Sequence, residues 1–437
     1  MKVLLIDEYP PETTAMLQAL YSRSSASVTE HIDRVRAKGS AGFMRSYYVG
    51  YGHSSIGDCG NTTVFIENVS LLACKAVQNT SLYQGQETST RYIDFSASKP
   101  VDPVNNSASQ SILLRWLNFY GRVVSEMKSD LHNALERPAD ITEMAWEKAI
   151  NARAFDVARG FLPAGVTSQL SWSTTLRHAH DHLLRLHAHP LAEVREIARS
   201  IQDALKQKYP SSFGHEVPTA VTEYIQRAAR AEEYFDTDLG RQWTATHAIR
   251  RDALDESTVS LLNARPRRAA LPKELDRLGY STYYFQLDFG SFRDLQRHRN
   301  GICRMPLLSG RHGFHEWYLD QLRPAMQQEA LGLIEAQSHD VKSLGREHGV
   351  DDAQLQYYWP LGMKVPCELT YSLRQATYVA ELRSGVTVHP TLRTVAKWMG
   401  NELLDQLPSM QIYIDESQDS FQVKRGSQDI VPLELHS

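Results

Sequence analysis

The sequence has few cysteines, and none of them stand at the spacing of a metal or redox site. Cys59, Cys74, Cys303 and Cys367 are scattered over 437 residues, without a Cys-x-x-Cys pair. A zinc site and a disulfide framework are therefore not expected. Scattered thiols are typical of a reducing compartment. We predict a cytoplasmic protein that binds no metal.

Long apolar runs and a surplus of positive charge are also missing. No stretch approaches the ~20 apolar residues that cross a bilayer. The N-terminal run reaches an acid at Asp7, too early for a signal peptide. We therefore expect no membrane contact. The formal net charge is −4, which argues against a nucleic acid as partner, because a polyanion binder usually carries a basic surplus.

Several catalytic motifs are absent as well. The sequence has no Gly-x-Ser-x-Gly, no Walker Gly-x-x-x-x-Gly-Lys, no His-Glu-x-x-His and no convincing dinucleotide fingerprint. It does have local clusters of arginine, at 265–268 and 293–304. Such clusters are usually solvated, but two or three arginines also suffice to bind a small anionic ligand.

An internal repeat is the first positive feature. Residues 175–195 and 372–393 share a Leu-Arg pair, a second arginine eight or nine residues on, a His-Pro pair and a third arginine. Each stretch follows a Leu/Trp-Pro step, at Leu162-Pro163 and Trp359-Pro360, and each leads into an amphipathic helix. One such pairing could arise by chance, so a second pair of segments is needed.

β-rich runs supply that second pair. Residues 62–67 and 281–287 favour strands, and helical segments follow both. Turn-forming residues cluster at 209–214. We predict two tandem copies, residues 1–212 and 213–437, the second more diverged. Each is predicted to be α+β, with an antiparallel sheet packed against long helices.

The strongest candidate site is Arg297-His298-Arg299. Three consecutive basic residues need an anion or solvent to balance them, and the repeat places them where a strand–helix unit opens into a loop. The alternative is an exposed basic helix end, favoured by the helix dipole.

A second candidate lies at residues 86–92. In an extended loop Glu87, Ser89 and Arg91 point to one side. An acceptor, a hydroxyl and a bidentate cation together suit a nucleotide. A polar strand edge is the alternative. The glycine-rich turn at 52–58 could be only tight geometry, and Arg159 could be a structural ion-pair partner.

At these clusters the sequence resembles the flavin-dependent thymidylate synthases. The first copy matches the family at Gly52-His53-Ser54-Ser55, at Glu87-x-Ser89-x-Arg91-Tyr92 and around Arg159. Asp58 takes the family's glutamate position, Arg177 matches the downstream step, and Arg185 matches the helix arginine if one residue is deleted. The family's Arg-His-Arg position, however, holds Asn79-Thr80-Ser81.

The second copy shows nearly the converse. It keeps Arg297-His298-Arg299, and Arg374 and Arg383 have the family's nine-residue separation. The family's serine position holds Leu307, and Ser309-Gly310-Arg311 fits only after a two-residue insertion. Gln356 stands at the arginine position before Pro360.

The resemblance implies a reductive one-carbon transfer to C5 of a uridylate-type nucleotide. The implied cofactor is FAD, with NADPH as reductant and methylenetetrahydrofolate, a folate, as carbon donor. The residues fall into three implied groups: substrate-binding Glu87, Ser89, Arg91 and Arg159; catalytic Arg185, Arg297, His298, Arg299 and Arg383; and cofactor-binding His53, Ser55, Asp58, Arg177, Arg297 and Arg374.

Since family sites form between subunits of a homotetramer, complementary losses in the two copies predict one composite site and a homodimer. The departures leave the pyrimidine substrate open, either dUMP or that of a related C5 modification. A non-catalytic nucleotide-binding protein is the alternative from another class.

Overall fold

The structure, a computed structural model, describes residues 8–22, 24, 27–50, 54–214, 216–238, 243–419 and 421. Regular elements up to residue 208 follow in this order: α1 (Pro11–Tyr21), α2 (Val28–Lys38), α3 (Ala41–Phe43), a π-helical stretch (Met44–Gly50), α4 (Ser54–Gly57), β1 (Asn61–Ser70), α5 (Leu71–Gln78), α6 (Ser107–Ala134), α7 (Glu143–Ala158), a 3₁₀ turn (Arg159–Phe161), β2 (Thr167–Thr175), α8 (Leu176–His187) and α9 (Ala192–Lys208).

The later elements are α10 (Thr219–Glu232), β3 (Thr244–Ile249), a 3₁₀ turn (Arg251–Ala253), α11 (Glu256–Asn263), a 3₁₀ helix (Lys273–Leu278), β4 (Gly279–Asp288), α12 (Phe289–Leu295), β5 (Gly301–Cys303), α13 (Glu316–Asp320), α14 (Pro324–His348), α15 (Asp352–Leu355), a 3₁₀ turn (Gln356–Tyr358), β6 (Lys364–Ser372), α16 (Leu373–Arg383) and α17 (Pro390–Gln406). None of the helices among the described residues is long and apolar enough to cross a membrane.

The chain divides into two compact units, and the division does not follow the predicted copies. Unit 1 comprises residues 1–69, 73–87 and 168–233, and unit 2 comprises residues 70–72, 88–167 and 234–437. Residues 88–167, from the predicted first copy, thus pack with the C-terminal half of the chain. The boundary between copies at 212 and 213 stays a prediction.

Unit 1 contains a two-stranded sheet of β1 and β2 and the helix pair α8 and α9. Thr175 caps α8 by accepting a hydrogen bond from the backbone N–H of His178 (3.2 Å). One apolar face of this pair is buried, with Leu183, Val194 and Ile201 among its side chains.

Unit 2 is built on a four-stranded sheet of order β3-β4-β6-β5, in which every strand pairing is antiparallel. β4 and β6 pair over nine residues each, from Tyr280 opposite Ser372 to Asp288 opposite Lys364. Helices α16 and α17 pack against these strands. The predicted α+β class with an antiparallel sheet and long helices is confirmed.

Two series of elements follow one another in the same order. A ten-residue strand and a helix, β1–α5 and β4–α12, are followed by a long helix, α6 and α14. A 3₁₀ turn, a nine-residue strand and two helices then complete each series. The two Pro steps, Pro163 and Pro360, face each other in an antiparallel bridge within unit 2. This order supports the tandem repeat, which stays a prediction.

The predicted strands and helices around the candidate sites are confirmed, with two corrections. Residues 62–67 and 281–287 lie within β1 and β4, and the helical segments after them correspond to α5 and α12. Residues 410–414 have the β-like composition typical of a strand, but they form none. Met410 and Ile412 are buried, and the run pairs with no strand in the part of the chain that the structure describes. The second correction concerns residues 86–92 and follows below.

Candidate functional site

Arg91 is held by a carboxylate that the sequence analysis did not single out. Its Nε donates to Asp156 Oδ1 (2.7 Å) and its Nη2 to Oδ2 (3.0 Å), with a further donation to the Thr387 carbonyl oxygen (3.3 Å). Burial alone would lower the pKa of the Arg91 guanidinium, but the Asp156 carboxylate raises it above its ordinary value. Arg91 is therefore a fixed cation.

The loop that carries Arg91 is not extended, so the prediction that Glu87, Ser89 and Arg91 share one side was wrong. The backbone N–H groups of Tyr92 and Ile93 both bond to the Ser89 carbonyl, and Ser89 Oγ accepts from the Arg91 N–H (3.2 Å). This turn removes the alternation on which the prediction rested. Glu87 belongs to unit 1, where its buried carboxylate pairs with Lys75 (2.7 Å).

Arg159 lies in a closed polar network of unit 2. Its Nη2 donates to Ser291 Oγ (2.7 Å), its Nε donates to Tyr318 Oη (3.4 Å), and only 1% of its side chain is exposed. The buried carboxylate of Asp288 lies 3.9 Å away. Asp288 accepts from Tyr318 Oη (2.7 Å) and Thr391 Oγ1 (2.6 Å). Arg159 thus contacts protein groups, and its predicted phosphate contact stays a prediction.

Asp294, in α12, is the point where arginines of both predicted copies converge. Burial would raise the pKa of its carboxyl, but four guanidinium groups lower it below its ordinary value: Arg159, Arg383, Arg297 and Arg91. The carboxylate is 3.9 Å from both Arg159 Nη1 and Arg297 Nε. Since Arg91 and Arg159 have carboxylates of their own, Asp294 is left to balance Arg297 and Arg383. Positive charge is therefore in excess here.

His298 and Arg383 form a direct hydrogen bond. Arg383 Nε donates to His298 Nε2 (2.7 Å), and Arg383 Nη2 donates to the Asp294 carbonyl oxygen (3.0 Å). Burial, with the nearby Arg383, lowers the pKa of the His298 imidazole to about 3. Arg297, by contrast, is 48% exposed at its side chain. Helix α12 ends at Leu295, so the Arg-His-Arg tripeptide directly follows a helix, as the sequence suggested.

A cleft with room for about one water molecule lies beside Arg91. The C-terminal segment lies over it, because Asp419 Oδ2 pairs with Arg153 (3.2 Å) and the Phe421 ring packs against Trp146 (5.3 Å between centroids). The lining residues with polar or aromatic side chains are Arg91, Arg153, Asp156, Thr387, Asp419 and Phe421.

Other predicted site residues lie in unit 1. Arg177 Nε donates to Asp58 Oδ1 (2.6 Å), Ser55 is exposed, and Arg185 pairs with Glu232 (2.6 Å) on the surface. His53 lies outside the described residues. Unit 1 therefore holds an Asp58–Arg177 pair but none of the residues around Asp294.

The remaining predicted residues of the second copy lie in unit 2. Arg374 pairs with Asp276 (2.7 Å) and Arg299 donates to the Arg297 carbonyl (3.2 Å). Gln356, at the position where the first copy has Arg159, is fully buried and its Oε1 accepts from the Leu308 backbone N–H (3.0 Å). At this position the predicted second copy has a neutral side chain, which binds the backbone of the neighbouring loop.

The residues missed by sequence reasoning are the carboxylates and hydroxyls that hold the arginines. They are Asp156, Asp288, Ser291, Asp294, Tyr318 and Thr391. Asp288 could have been found, since it precedes a helix in an Asp-x-x-Ser pattern that is typical of an N-cap, and it does accept from the Ser291 N–H (2.8 Å). The other partners come together only through long-range packing.

A comparison with protein families gives a match for the first half of the chain. A family model described as "Thymidylate synthase complementing protein" matches residues 4–211. The match covers somewhat under half of the 437 residues. The matched range is nearly that of the predicted first copy and carries Arg91 and Arg159. Arg297 and Arg383 lie beyond the part of the chain that the thymidylate synthase complementing protein model matches.

Three curated relatives match over most of the length of this chain. The UPF0159 protein of Chlamydia pneumoniae is 23% identical, over 86% of this chain and 80% of its own length. UPF0159 protein Ta1429 of Thermoplasma acidophilum is 22% identical, over 90% and 93% respectively. A solved flavin dependent thymidylate synthase, ThyX from Helicobacter pylori complexed with FAD and dUMP, is 13% identical and covers 47% of this chain and 92% of its own, with a TM-score of 0.28. A TM-score of this size does not establish a common fold.

Proposed function

We propose that this protein catalyses a flavin-dependent reductive methylation at C5 of a uridylate-type nucleotide, dUMP to dTMP or a close variant. The observation that carries the proposal is the convergence on Asp294 of arginines from both predicted copies, in a chain whose residues 4–211 match the family model. In sequence the two predicted copies lack complementary parts of the family's signature, and Arg91, Arg159, Arg297 and Arg383 all belong to unit 2, which supports the proposal.

The nucleotide phosphate is assigned to the arginines that converge on Asp294. A guanidinium that keeps its charge and presents several N–H donors is the group that best binds a phosphate. Arg297, which is half exposed, adds an accessible cation that lies 3.9 Å from the Asp294 carboxylate. Arg159 is assigned an indirect role, because its buried guanidinium donates hydrogen bonds that hold Ser291 and Tyr318 in place.

FAD fits the exposed, basic end of α12. Arg297 and Arg299 follow this helix, and the local excess of positive charge suits the pyrophosphate of a dinucleotide. When bound, reduced FAD supplies the hydride, methylenetetrahydrofolate supplies the carbon that replaces the C5 proton, and NADPH restores the reduced flavin. The chain's own part is to bind, orient and polarise the pyrimidine.

Arg383 is assigned the polarisation of a pyrimidine carbonyl. The other route to an activated C5, attack by a cysteine thiolate, has no suitable group among the thiols with resolved shifts. Burial raises the pKa of Cys303 to about 12 and also raises those of Cys59 and Cys367. A protonated thiol is a poor nucleophile, so electrostatic polarisation by an arginine is the mechanism that the residues support.

The proposal is tested by release of tritium from [5-³H]dUMP, with FAD, NADPH and methylenetetrahydrofolate added to the purified protein. Release that requires all three supports it, since the C5 hydrogen leaves only when the new C–C bond forms. Binding of dUMP without flavin uptake or tritium release would favour the non-catalytic binding protein. Flavin uptake without tritium release from dUMP would indicate that the substrate is another pyrimidine nucleotide.

We also propose that the protein is a homodimer, which sedimentation equilibrium would test.

A further inference from the structure

We propose that His298 is a positioning residue whose Nε2 accepts a hydrogen bond from Arg383 and thereby fixes the edge of the guanidinium that meets the substrate. The proposal rests on the function proposed above, and it assigns His298 a role through Arg383 instead of proton transfer or direct contact with the flavin. Its basis is the short hydrogen bond between the two side chains.

Arg383 is anchored along one side. It is the last residue of α16, its Nε donates to His298 Nε2 (2.7 Å) and its Nη2 donates to the Asp294 carbonyl oxygen (3.0 Å). Its third nitrogen, Nη1, makes no hydrogen bond to any residue that the structure describes. A planar guanidinium held at two of its nitrogens has a defined plane, and the remaining donors point in a fixed direction.

His298 can accept this hydrogen bond only in one state. An imidazolium has two donors and no acceptor, so His298 must be neutral, with its proton on Nδ1. Burial and the surrounding arginines keep the ring neutral at physiological pH by lowering its pKa. The ring of Tyr378 packs edge-on against His298, with the centroids 5.9 Å apart, and helps to fix the plane of the imidazole.

This state restricts the chemistry of His298. Nε2 carries no proton and is occupied by Arg383, so it cannot donate a proton to the substrate. The ring is also 7% exposed, which leaves little of it for a ligand. A fixed acceptor such as His298 Nε2 increases the reaction rate most when the donor that it orients, here Arg383, must face a charge that develops in the transition state.

The matched variants H298Q and H298N test the role. Glutamine can place its Oε1 near the position of Nε2, whereas the shorter asparagine places its oxygen near Nδ1, out of reach of Arg383 Nε. In the tritium-release assay we expect H298Q to keep kcat within about threefold, and H298N to lose roughly a hundredfold in kcat with little change in KM, as for an oriented group acting in the transition state. Thermal unfolding of both variants is the control for folding.

A double variant separates positioning from an independent role. If His298 acts through Arg383, R383K and H298N/R383K should be equally slow, since the second change removes nothing further. Equal inactivity of H298Q and H298N, or losses that multiply in H298N/R383K, would overturn the proposal.

A measurement without substrate keeps this test distinct from failure of the proposed function. In protein labelled with ¹⁵N-arginine, the Arg383 Nε–H should exchange slowly in the native protein and in H298Q, and rapidly in H298N. Absence of tritium release from the native protein would refute the proposed function alone. An Arg383 Nε–H exchange rate that does not change in H298N would refute the positioning role, whatever the activity.

Discussion

At the scale of single residues, Arg297 offers the cleanest test of the composite site, because little of the fold depends on it. Its closest carboxylate is Asp294 at 3.9 Å, and about half of its side chain is exposed. We expect R297A to abolish tritium release and to leave the thermal midpoint within a few degrees, since exposed pairs contribute at most about 1 kcal/mol.

Arg311 is the matched control for that variant. It stands in the second copy's Ser-x-Arg, where Ser309 Oγ accepts from its backbone N–H (3.3 Å), and its side chain pairs with Asp352 (3.1 Å) on the surface. R311A should keep activity near that of the native protein. Equal loss of activity in R297A and R311A would mean that positive charge in general, and not the site around Asp294, is what matters.

Arg91 needs a different design, because R91A leaves the carboxylate of Asp156 buried without its partner. Breaking a buried pair in this way costs about 3–5 kcal/mol, so R91A alone confounds activity with folding. We expect R91A/D156N to recover most of the lost free energy of unfolding, measured in urea, and to remain inactive. Recovery of activity together with stability would show that Arg91 is only a structural cation.

His182, in unit 1, predicts a dependence of stability on pH. Its Nε2 bonds to the Val77 carbonyl oxygen (2.9 Å), and burial lowers the pKa of the imidazole to about 4. Since the unfolded chain takes up this proton more readily, the stabilisation is complete above about pH 6.5 and is lost as the pH falls towards 4. We expect a loss of about 2 kcal/mol at pH 5 from this residue.

H182Q is the variant that isolates this effect, because glutamine keeps a donor for Val77 and does not titrate in this range. Urea unfolding at pH 7 and pH 5 should show a smaller loss of stability for H182Q than for the native protein. An identical loss in both would contradict the assignment to His182.

The residue scale also shows what sequence could and could not establish. The arginines and His298 were identifiable, because a motif of several basic residues at fixed spacing is specific. Their carboxylate partners were not identifiable, because Asp156 and Asp294 lie 65 and 203 residues from Arg91 in the sequence. Neither aspartate stands in a motif of recognisable spacing. The extended conformation assumed for residues 86–92 failed for a local reason, the turn that begins at Ser89.

At the scale of elements, the helix that ends in Arg383 depends on its N-cap. Ser372 Oγ accepts from the Gln375 backbone N–H (3.2 Å) and donates to Asp276 Oδ1 (2.6 Å). We expect S372A to lower the free energy of unfolding by about 1 kcal/mol, as measured in urea. S372T should retain most of the stability, and an S372A variant as stable as the native protein would show that tertiary packing alone fixes α16.

Elements with a clear period were predictable, and isolated ones were not. Strands β1 and β4, the helices after them and the amphipathic helices after the two Pro steps could be anticipated from β-rich runs and from apolar residues at helical spacing, whereas β2 and β6 were not predicted. The run at 410–414 had the same local composition as a strand, but a strand needs a partner with free backbone groups, which composition does not reveal.

At the scale of the whole molecule, the two compact units could not be predicted from the sequence. The repeat predicts a domain boundary near residue 212, but residues 88–167 pack with the C-terminal half of the chain. Such an exchange depends on contacts between segments about 200 residues apart, of which the bridge from Pro163 to Pro360 is one. The composite site stays a prediction, which rests on the complementary losses of the two predicted copies.

The central claim is that these retained parts make one site for a flavin and a pyrimidine nucleotide. The most direct measurement is the visible absorbance spectrum of the purified protein, reconstituted with FAD and then titrated with dUMP. We expect a flavin spectrum that dUMP perturbs in a saturable manner, and no such perturbation in R297A. A protein that takes up no FAD, or whose R297A variant responds to dUMP as the native protein does, would contradict the claim.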